Sequence, residues 1–206
     1  PLRALRDEIE TQAAYLDGAG LAPASRARVD THRAALRRLC DESPRPPKRL
    51  IAFDAHPGNF LLRDDGAAVL VDLEKARYSH PPLDLAHATL YTSTTWDLDV
   101  HAELTLQQVA DTYAAWAGCS DDAAAYRRWL VPLRAAMWLW SVTWCAKWRV
   151  LSPRAASGDS AGEDWSSDHS AAALIAHVRE RVDCYLSAPI IERIVDEFVA
   201  LEPLLR

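Results

Sequence analysis

Residues 53–74 read FDAHPGNFLLRDDGAAVLVDLE, in which two short apolar runs flank the dipeptide Asp65-Gly66. An Asp-Gly pair between two apolar runs is a strong signal for a β-hairpin. If the loop consists of those two residues alone, Asn59 lies directly opposite Asp72, where facing Cβ atoms are roughly 4.5–5.5 Å apart. The stretch therefore predicts a hairpin whose open end brings an amide and a carboxylate together.

The open end of this hairpin offers oxygen ligands and a general base. Carboxylate and amide oxygens such as those of Asn59 and Asp72 suit Mg²⁺, which also keeps waters and phosphates in its coordination shell. Asp54 precedes Asn59 by five residues, with the turn-forming pair Pro57-Gly58 between them. Its carboxylate can therefore lie beside the same metal and accept a hydroxyl proton. One acid with two metal ligands points to phosphoryl transfer.

The same residues resemble the aminoglycoside phosphotransferase and choline kinase family, whose fold is similar to that of protein kinases. The catalytic loop of that family has the pattern HGDxHPGN, which the chain matches at Asp54 and from His56 to Asn59. The run VDLE at residues 71–74 resembles the strand that follows in the family, and PPLDLA at residues 81–86 resembles the start of its next helix. The match covers about 30 residues in the family's order.

The resemblance implies an ATP-dependent small-molecule phosphotransferase, with Mg²⁺ as cofactor and with a nucleotide and a hydroxyl-bearing substrate as partners. Asp54 would be the catalytic base that orients and deprotonates the substrate hydroxyl. Asn59 and Asp72 would hold Mg²⁺ against the phosphates. Asp84 would be a buried anchor for the catalytic loop.

Two further side chains flank these residues. His56 stands next to Pro57, where we expect one of its ring nitrogens to organise the loop by a hydrogen bond rather than to bind a metal. Two interpretations of Glu74 stay open: it faces the substrate, or it caps the end of the strand.

The chain departs from the family pattern in two ways. Ala52 and Phe53 stand where the family has His and Gly. Upstream of Asp54 there is no Gly-rich strand turn, no phosphate-contacting Lys and no partnering Glu. We therefore expect the nucleotide-clamping lobe to be absent and this chain to be an inactive C-terminal portion of the enzyme. Its two parts would be a helical segment with a Pro-rich connector (1–48) and a helical lobe with the catalytic hairpin (49–206).

Outside the hairpin the sequence pattern is helical. Apolar residues recur at three- and four-residue steps from Leu2 to Leu16, and similar periodicity continues after Pro82. The expected fold class is mainly α with a small β-hairpin, and the resemblance makes it the C-terminal lobe of a protein-kinase-like fold. The pattern predicts helices over 2–16, 25–40, 83–91, 104–117, 122–151, 171–186 and 190–201, strands over 50–53, 60–62 and 68–73, and a polar loop over 152–170.

Composition excludes several classes of protein. The net charge of −6 provides no overall basic field, so nucleic acid is not an expected partner. The most apolar stretch, Trp129 to Cys145, is interrupted by Pro132 and Arg134 and is too short for a membrane span. The four cysteines form no CxxC pair, which argues against a metal cluster and fits a reducing cytoplasm.

Two features suggest a substrate class, and each has a plainer structural explanation. Trp140, Trp144 and Trp148, with Trp138 nearby, fit either an aromatic cage for a choline-like cation or a stripe of core residues. The acidic run Asp159, Glu163, Asp164 and Asp168 fits either attraction of a polycationic aminoglycoside or a solvated loop. In both cases we expect the structural role.

Two other functions stay open. Ala52 and the absent lobe suggest a non-catalytic kinase-like binding protein, although the joint presence of Asp54, Asn59 and Asp72 argues against it. A metal-dependent hydrolase would use the same oxygen ligands, but it usually needs more ligands than His56 could add. An apolar face left by the missing lobe is also expected to make the chain self-associate.

Overall fold

The computed structural model of the chain describes residues 1–97, 101–156 and 172–205. Helices dominate this part of the chain and two small antiparallel sheets accompany them, which confirms the predicted class. The helices are α1 (Leu2–Ala13), α2 (Pro23–Leu39), α3 (Pro82–Thr89), α4 (Tyr91–Thr94), α5 (Leu106–Cys119), α6 (Ala123–Tyr126), α7 (Leu130–Ala156), α8 (Ala172–Tyr185) and α9 (Ala188–Leu205). The strands are β1 (Arg49–Ile51), β2 (Phe60–Leu62), β3 (Ala68–Leu70) and β4 (Arg77–Ser79).

The centre of the fold is α7, against which α1, α2, α3, α8 and α9 all pack. Leu133, Trp138 and Leu139 lie on different sides of this helix and are fully buried. A helix that is apolar on every side must be surrounded by other elements. The N-terminal helices share this core, since α1 contributes Ile9 and α2 contributes Val29 to it. None of the described helices is long and apolar enough to cross a membrane.

The single helix predicted over 122–151 is wrong in its first part. The structure has the short helix α6, then a 3₁₀ turn over Arg127–Trp129, and only then α7. Pro132 explains the break, because a proline has no N–H to bond the carbonyl of the residue four positions earlier. At its other end α7 continues to Ala156, into the predicted loop. The rest of that loop, with its acidic run at 159–168, lies outside the described residues.

The β2–β3 hairpin has a loop one residue longer than the sequence suggested. Phe60 pairs with Leu70, and the Arg63 N–H donates to the Ala67 carbonyl at 2.9 Å. The loop is therefore residues 64–66, with Gly66 at φ +80° as its last residue. A three-residue hairpin loop needs a left-handed residue at that position, and glycine adopts it without strain.

This loop length overturns the predicted facing of Asn59 and Asp72. In the observed register the Val71 N–H donates to the Asn59 carbonyl at 2.9 Å, so Asn59 faces Val71 and the expected direct pair does not exist. The prediction failed because Asp64 joins the turn instead of pairing with Ala67.

A second small sheet, formed by β1 and β4, was not fully predicted. The strand expected over 50–53 is β1, which is shorter and pairs Leu50 with Tyr78 of β4. The sequence gives little sign of β4, since a three-residue strand with one aromatic residue is too short for alternation to show. This pairing brings the two ends of the segment 52–76 together beside α3.

A buried charge links the three helices α3, α7 and α9. The Arg134 side chain is completely buried and donates to Glu197 Oε1 from Nε at 2.9 Å and from Nη2 at 2.6 Å. It also donates to Thr89 Oγ1 at 2.6 Å and to the Thr89 carbonyl at 3.0 Å. Arg134 thus connects α3, α7 and α9, and its buried guanidinium is neutralised and hydrogen-bonded by groups of the protein itself.

Candidate active site

The loop from residue 52 to residue 59 is held by the first turn of α3. Asp84 Oδ2 accepts from the Ala52 N–H and Asp84 Oδ1 accepts from the Phe53 N–H, each at 2.8 Å. Burial raises the pKa of Asp84, while these two bonds to its charged form act in the opposite direction. Asp84 therefore fixes the backbone that leads into Asp54.

Phe53 adopts a backbone conformation that favours glycine. Its φ is +66°, in the left-handed region, which costs a residue with a Cβ roughly 1–2 kcal/mol. Its ring is fully buried, 5.3 Å from the Trp140 ring centroid, with the Arg77 guanidinium 3.7 Å from its own centroid. These contacts keep Phe53 in place where the family has Gly.

His87 is a loop support that the sequence did not single out. It is buried on α3, with Nδ1 at 3.1 Å from the Phe53 carbonyl and 3.7 Å from Asp54 Oδ1. Burial lowers the pKa of His87 to about 4, so its ring is neutral at pH 7. The signal was available, because His87 follows Asp84 by three residues and therefore lies on the same helix face.

The buried His87 should make stability fall in mild acid. Because the pKa of His87 is lower in the folded state, the unfolded chain takes up the proton first as the pH falls. The contribution of neutral His87 to the free energy of unfolding is therefore complete above pH 6.5 and is lost as the pH falls toward 4. Between pH 7 and pH 5 this amounts to about 2 kcal/mol. Urea unfolding of wild type and His87→Gln at both pH values measures it. His32 and His80 also have lowered pKa values, so the stability of the variant should still fall between pH 7 and pH 5, but by less than that of wild type. An equal fall in both proteins would contradict the role assigned to His87.

The Asp54 side chain is nearly buried and is paired with a lysine. Asp54 Oδ2 accepts from Lys75 Nζ at 2.6 Å, and the Asp54 carbonyl accepts from Asn59 Nδ2 at 2.8 Å. Asn59 is also buried. The structure therefore brings Asp54 and Asn59 together, and it adds Lys75, which the sequence reasoning missed because a Lys in a short turn carries no pattern of its own.

His56 and Gly58 shape the turn between Asp54 and Asn59. His56 Nδ1 accepts from the Gly58 N–H at 3.2 Å at the start of a 3₁₀ turn over Pro57–Asn59. A Cβ on Gly58 would lie 2.5 Å from Asp97 Oδ2 and 2.9 Å from His56 Cε1. A larger residue at this position would therefore displace the side chains of Asp97 and His56.

Asp72 and Glu74 are exposed and follow the second strand of the hairpin. Asp72 has φ +56°, in the left-handed region, which Asp tolerates better than most residues. The extended segment that begins with β3 ends at this residue. In the described part of the chain, no three His, Cys, Asp or Glu residues cluster in a way that could hold a metal ion. Asn59 and Asp72 are not paired across the hairpin, and each offers an oxygen atom of the kind that Mg²⁺ accepts beside waters and phosphates. Glu74 is exposed and does not line the neighbouring pocket.

A pocket of about 240 Å³ opens beside Asp54. Trp96, Trp140, Trp144 and Tyr185 line it together with polar residues. The tryptophan stripe of α7 thus divides into two parts. Trp138 and Trp148 are core residues, as the structural explanation expected, whereas Trp140 and Trp144 reach the pocket. A larger groove of about 810 Å³ lies between α2, α6, α7 and α9 and is lined by none of the loop residues.

Comparison with known proteins identifies the family of the chain. A family model described as "Phosphotransferase enzyme family" matches residues 1–129, which include the loop, the hairpin, Lys75 and α3. No curated protein matches the chain. The matched range takes in well over half of the 206 residues and confirms the family resemblance and its kinase-like fold. The matched range includes the Asp54 loop, which Asp84 anchors, and the match holds despite the departures at Ala52 and Phe53. The chain therefore belongs to the phosphotransferase enzyme family.

Proposed function

We propose that the protein transfers the γ-phosphoryl group of ATP to a hydroxyl group of a small molecule. The observation that carries this proposal is the position of the Asp54 carboxylate, which lines a pocket of substrate size on a loop braced by Asp84, His87 and Asn59. A catalytic base needs this combination of access and fixed orientation.

In the proposed reaction the acceptor hydroxyl donates a hydrogen bond to Asp54. Its oxygen forms a bond to the γ-phosphorus while the bond from that phosphorus to the bridging oxygen breaks, so ADP leaves and the hydroxyl proton passes to the carboxylate. Lys75 holds one carboxylate oxygen at 2.6 Å and fixes the direction of the other lone pairs. His87, being neutral, adds orientation without adding charge.

Asn59 and Asp72 are the residues that would hold Mg²⁺. When bound, the ion neutralises charge on the phosphates. The Asn59 amide nitrogen is engaged with the Asp54 carbonyl, which leaves the amide oxygen as its ligand atom. Asp72 contributes the negative charge, and its exposed position suits an ion that reaches the site together with the nucleotide.

The hairpin also offers an apolar surface for a nucleotide base. Leu61 and Val69 are direct partners across the strands, so their side chains share one face of the hairpin, where they are 55% and 41% exposed. Apolar side chains exposed in one cluster usually mark a binding surface. Self-association through the same surface, expected from the sequence, stays a prediction.

A second candidate function is favoured by one observation. The Asp54 carboxylate is already neutralised by Lys75, as it could be in a kinase-like protein that binds ligands without catalysis. The two functions share the site and differ in whether phosphate is transferred, so turnover with the Asp54 variant separates them.

The nucleotide and metal assignment predicts a paramagnetic signal that depends on Asp72. Titration of the protein and ATP with Mn²⁺ should enhance water-proton relaxation in wild type, and Asp72→Asn should reduce this enhancement several-fold because a charged ligand is lost. Asn tolerates the left-handed backbone at this position. Asp64→Asn removes an equal charge from the hairpin loop and should behave as wild type. Equal enhancement in all three proteins would refute the site.

A further inference from the structure

We infer that the pocket beside Asp54 takes a compact, uncharged polyhydroxylated molecule of about monosaccharide size as the phosphoryl acceptor, and that Lys75 keeps cationic acceptors out. The inference rests on the proposed function and adds the substrate class. Three independent features of the pocket support it: its aromatic walls, two buried hydroxyl groups without partners, and the balance of its charges.

The walls favour a small ring-shaped molecule with an apolar face. The Trp96 ring lies 5.5 Å from the Trp144 ring and 6.2 Å from the Tyr185 ring between centroids, and Trp140 adds a fourth ring. The volume of about 240 Å³ is below the range of roughly 300–1,000 Å³ typical of sites for drug-sized ligands. Several hydroxyls on a ring leave its C–H faces for contact with such aromatic surfaces.

The polar groups on the pocket wall match hydroxyl groups. Thr92 and Ser93 line the pocket and are 5% and 2% exposed, and neither hydroxyl has a hydrogen-bond partner in the described part of the chain. A buried hydroxyl without a partner costs roughly 1–3 kcal/mol, so a ligand or water must complete these bonds. A hydroxyl both donates and accepts, and it therefore fits neighbouring hydroxyls of a polyol.

The charges of the pocket leave no place for a cation. The charged side chains among its described lining residues are Asp54 and Lys75, which pair with each other, while His87 is neutral. Lys75 Nζ also lies 5.9 Å from the Trp140 ring centroid, so it already occupies the position over the aromatic wall that a cationic acceptor would take. A second carboxylate, Asp97, lies against Gly58 and is not part of the lining.

Ring molecules of similar size but different charge can test the inference without any turnover. The full-length protein is titrated, without nucleotide, with the neutral polyols glucose, ribose and inositol, with cationic glucosamine and with anionic glucuronate, by calorimetry and tryptophan fluorescence. We expect saturable binding of at least one neutral polyol, with glucosamine and glucuronate at least about tenfold weaker. Binding of no neutral polyol at millimolar concentration would overturn the inference, and so would binding of either charged sugar as tight as that of the best neutral polyol.

Two variants test the named residues. Lys75→Met should tighten glucosamine binding at least about tenfold, whereas Lys48→Met, which removes an equal charge from the exposed connector, should leave it unchanged. Ser93→Ala should weaken the neutral polyol about tenfold, since it removes one bond. Unchanged affinities in both pocket variants would overturn the assignment. If the polyol tests fail while Mn²⁺–ATP binding still depends on Asp72, the inferred acceptor class is wrong. If Mn²⁺–ATP binding also does not depend on Asp72, the proposed function is wrong as well.

Discussion

Replacing Asp54 by Asn should lower kcat of the full-length protein about 10²–10⁴-fold and leave MgATP binding nearly unchanged. Asn has the same size, and the backbone bonds that fix the loop, including the one from Asn59 to the Asp54 carbonyl, do not involve the carboxylate. The partner that loses its charge, Lys75, has a 38% exposed side chain and can be solvated. The loss should therefore fall on proton transfer rather than on folding.

Asp72→Asn provides the contrast for this experiment. It removes a charged ligand from the proposed metal site, so it should weaken MgATP binding and turnover together. Calorimetry with MgATP and steady-state kinetics on both variants separate the two roles. If Asp54→Asn abolished MgATP binding while Asp72→Asn spared it, the assigned roles would be wrong and the binding-protein and hydrolase functions would gain support.

Arg134→Met should strongly lower the free energy of unfolding. The substitution leaves Glu197, whose side chain is only 14% exposed, without the partner that now neutralises it. Breaking a buried ion pair in this way typically costs about 3–5 kcal/mol. The free energy of unfolding from urea denaturation at pH 7 measures the effect.

Two further variants make the Arg134 experiment specific. Arg3→Met breaks the exposed pair with Asp41, whose side chains are 58% and 73% exposed, and should change stability by less than about 1 kcal/mol. The double variant Arg134→Met/Glu197→Leu should recover much of the loss, since no unpaired charge remains. A loss below about 1 kcal/mol in Arg134→Met would show that the buried pair does not hold α3, α7 and α9 together.

The loop at Phe53 shows how the chain holds the backbone of the candidate active site with residues that differ from the family pattern. The sequence raised the question of what supports the loop when Ala52 and Phe53 replace His and Gly. In the structure Asp84 binds two successive backbone N–H groups, and His87 holds the next carbonyl. The backbone strain at Phe53 is offset by a fully buried ring packed between Trp140 and Arg77.

The sequence by itself determined the local structure and the family. Apolar periodicity is a local property, so it located most helices to within a few residues and placed β2 and β3. The spacing from Asp54 to Asn59 is also local, because both residues belong to one turn. These patterns sufficed to identify the residues around which the loop is built.

Only the tertiary structure decided what surrounds Asp54. Lys75 contacts Asp54 because the chain turns at the left-handed residue Asp72. His87 and Ser93 lie in a helical segment that follows Asp54 by more than 30 residues. Periodicity shows which face of an element is apolar, but not which other element covers it. The register of the hairpin depended on whether Asp64 belonged to the loop. Lengthening the loop by one residue changes every facing pair of the two strands, because side chains in a strand alternate between its two faces.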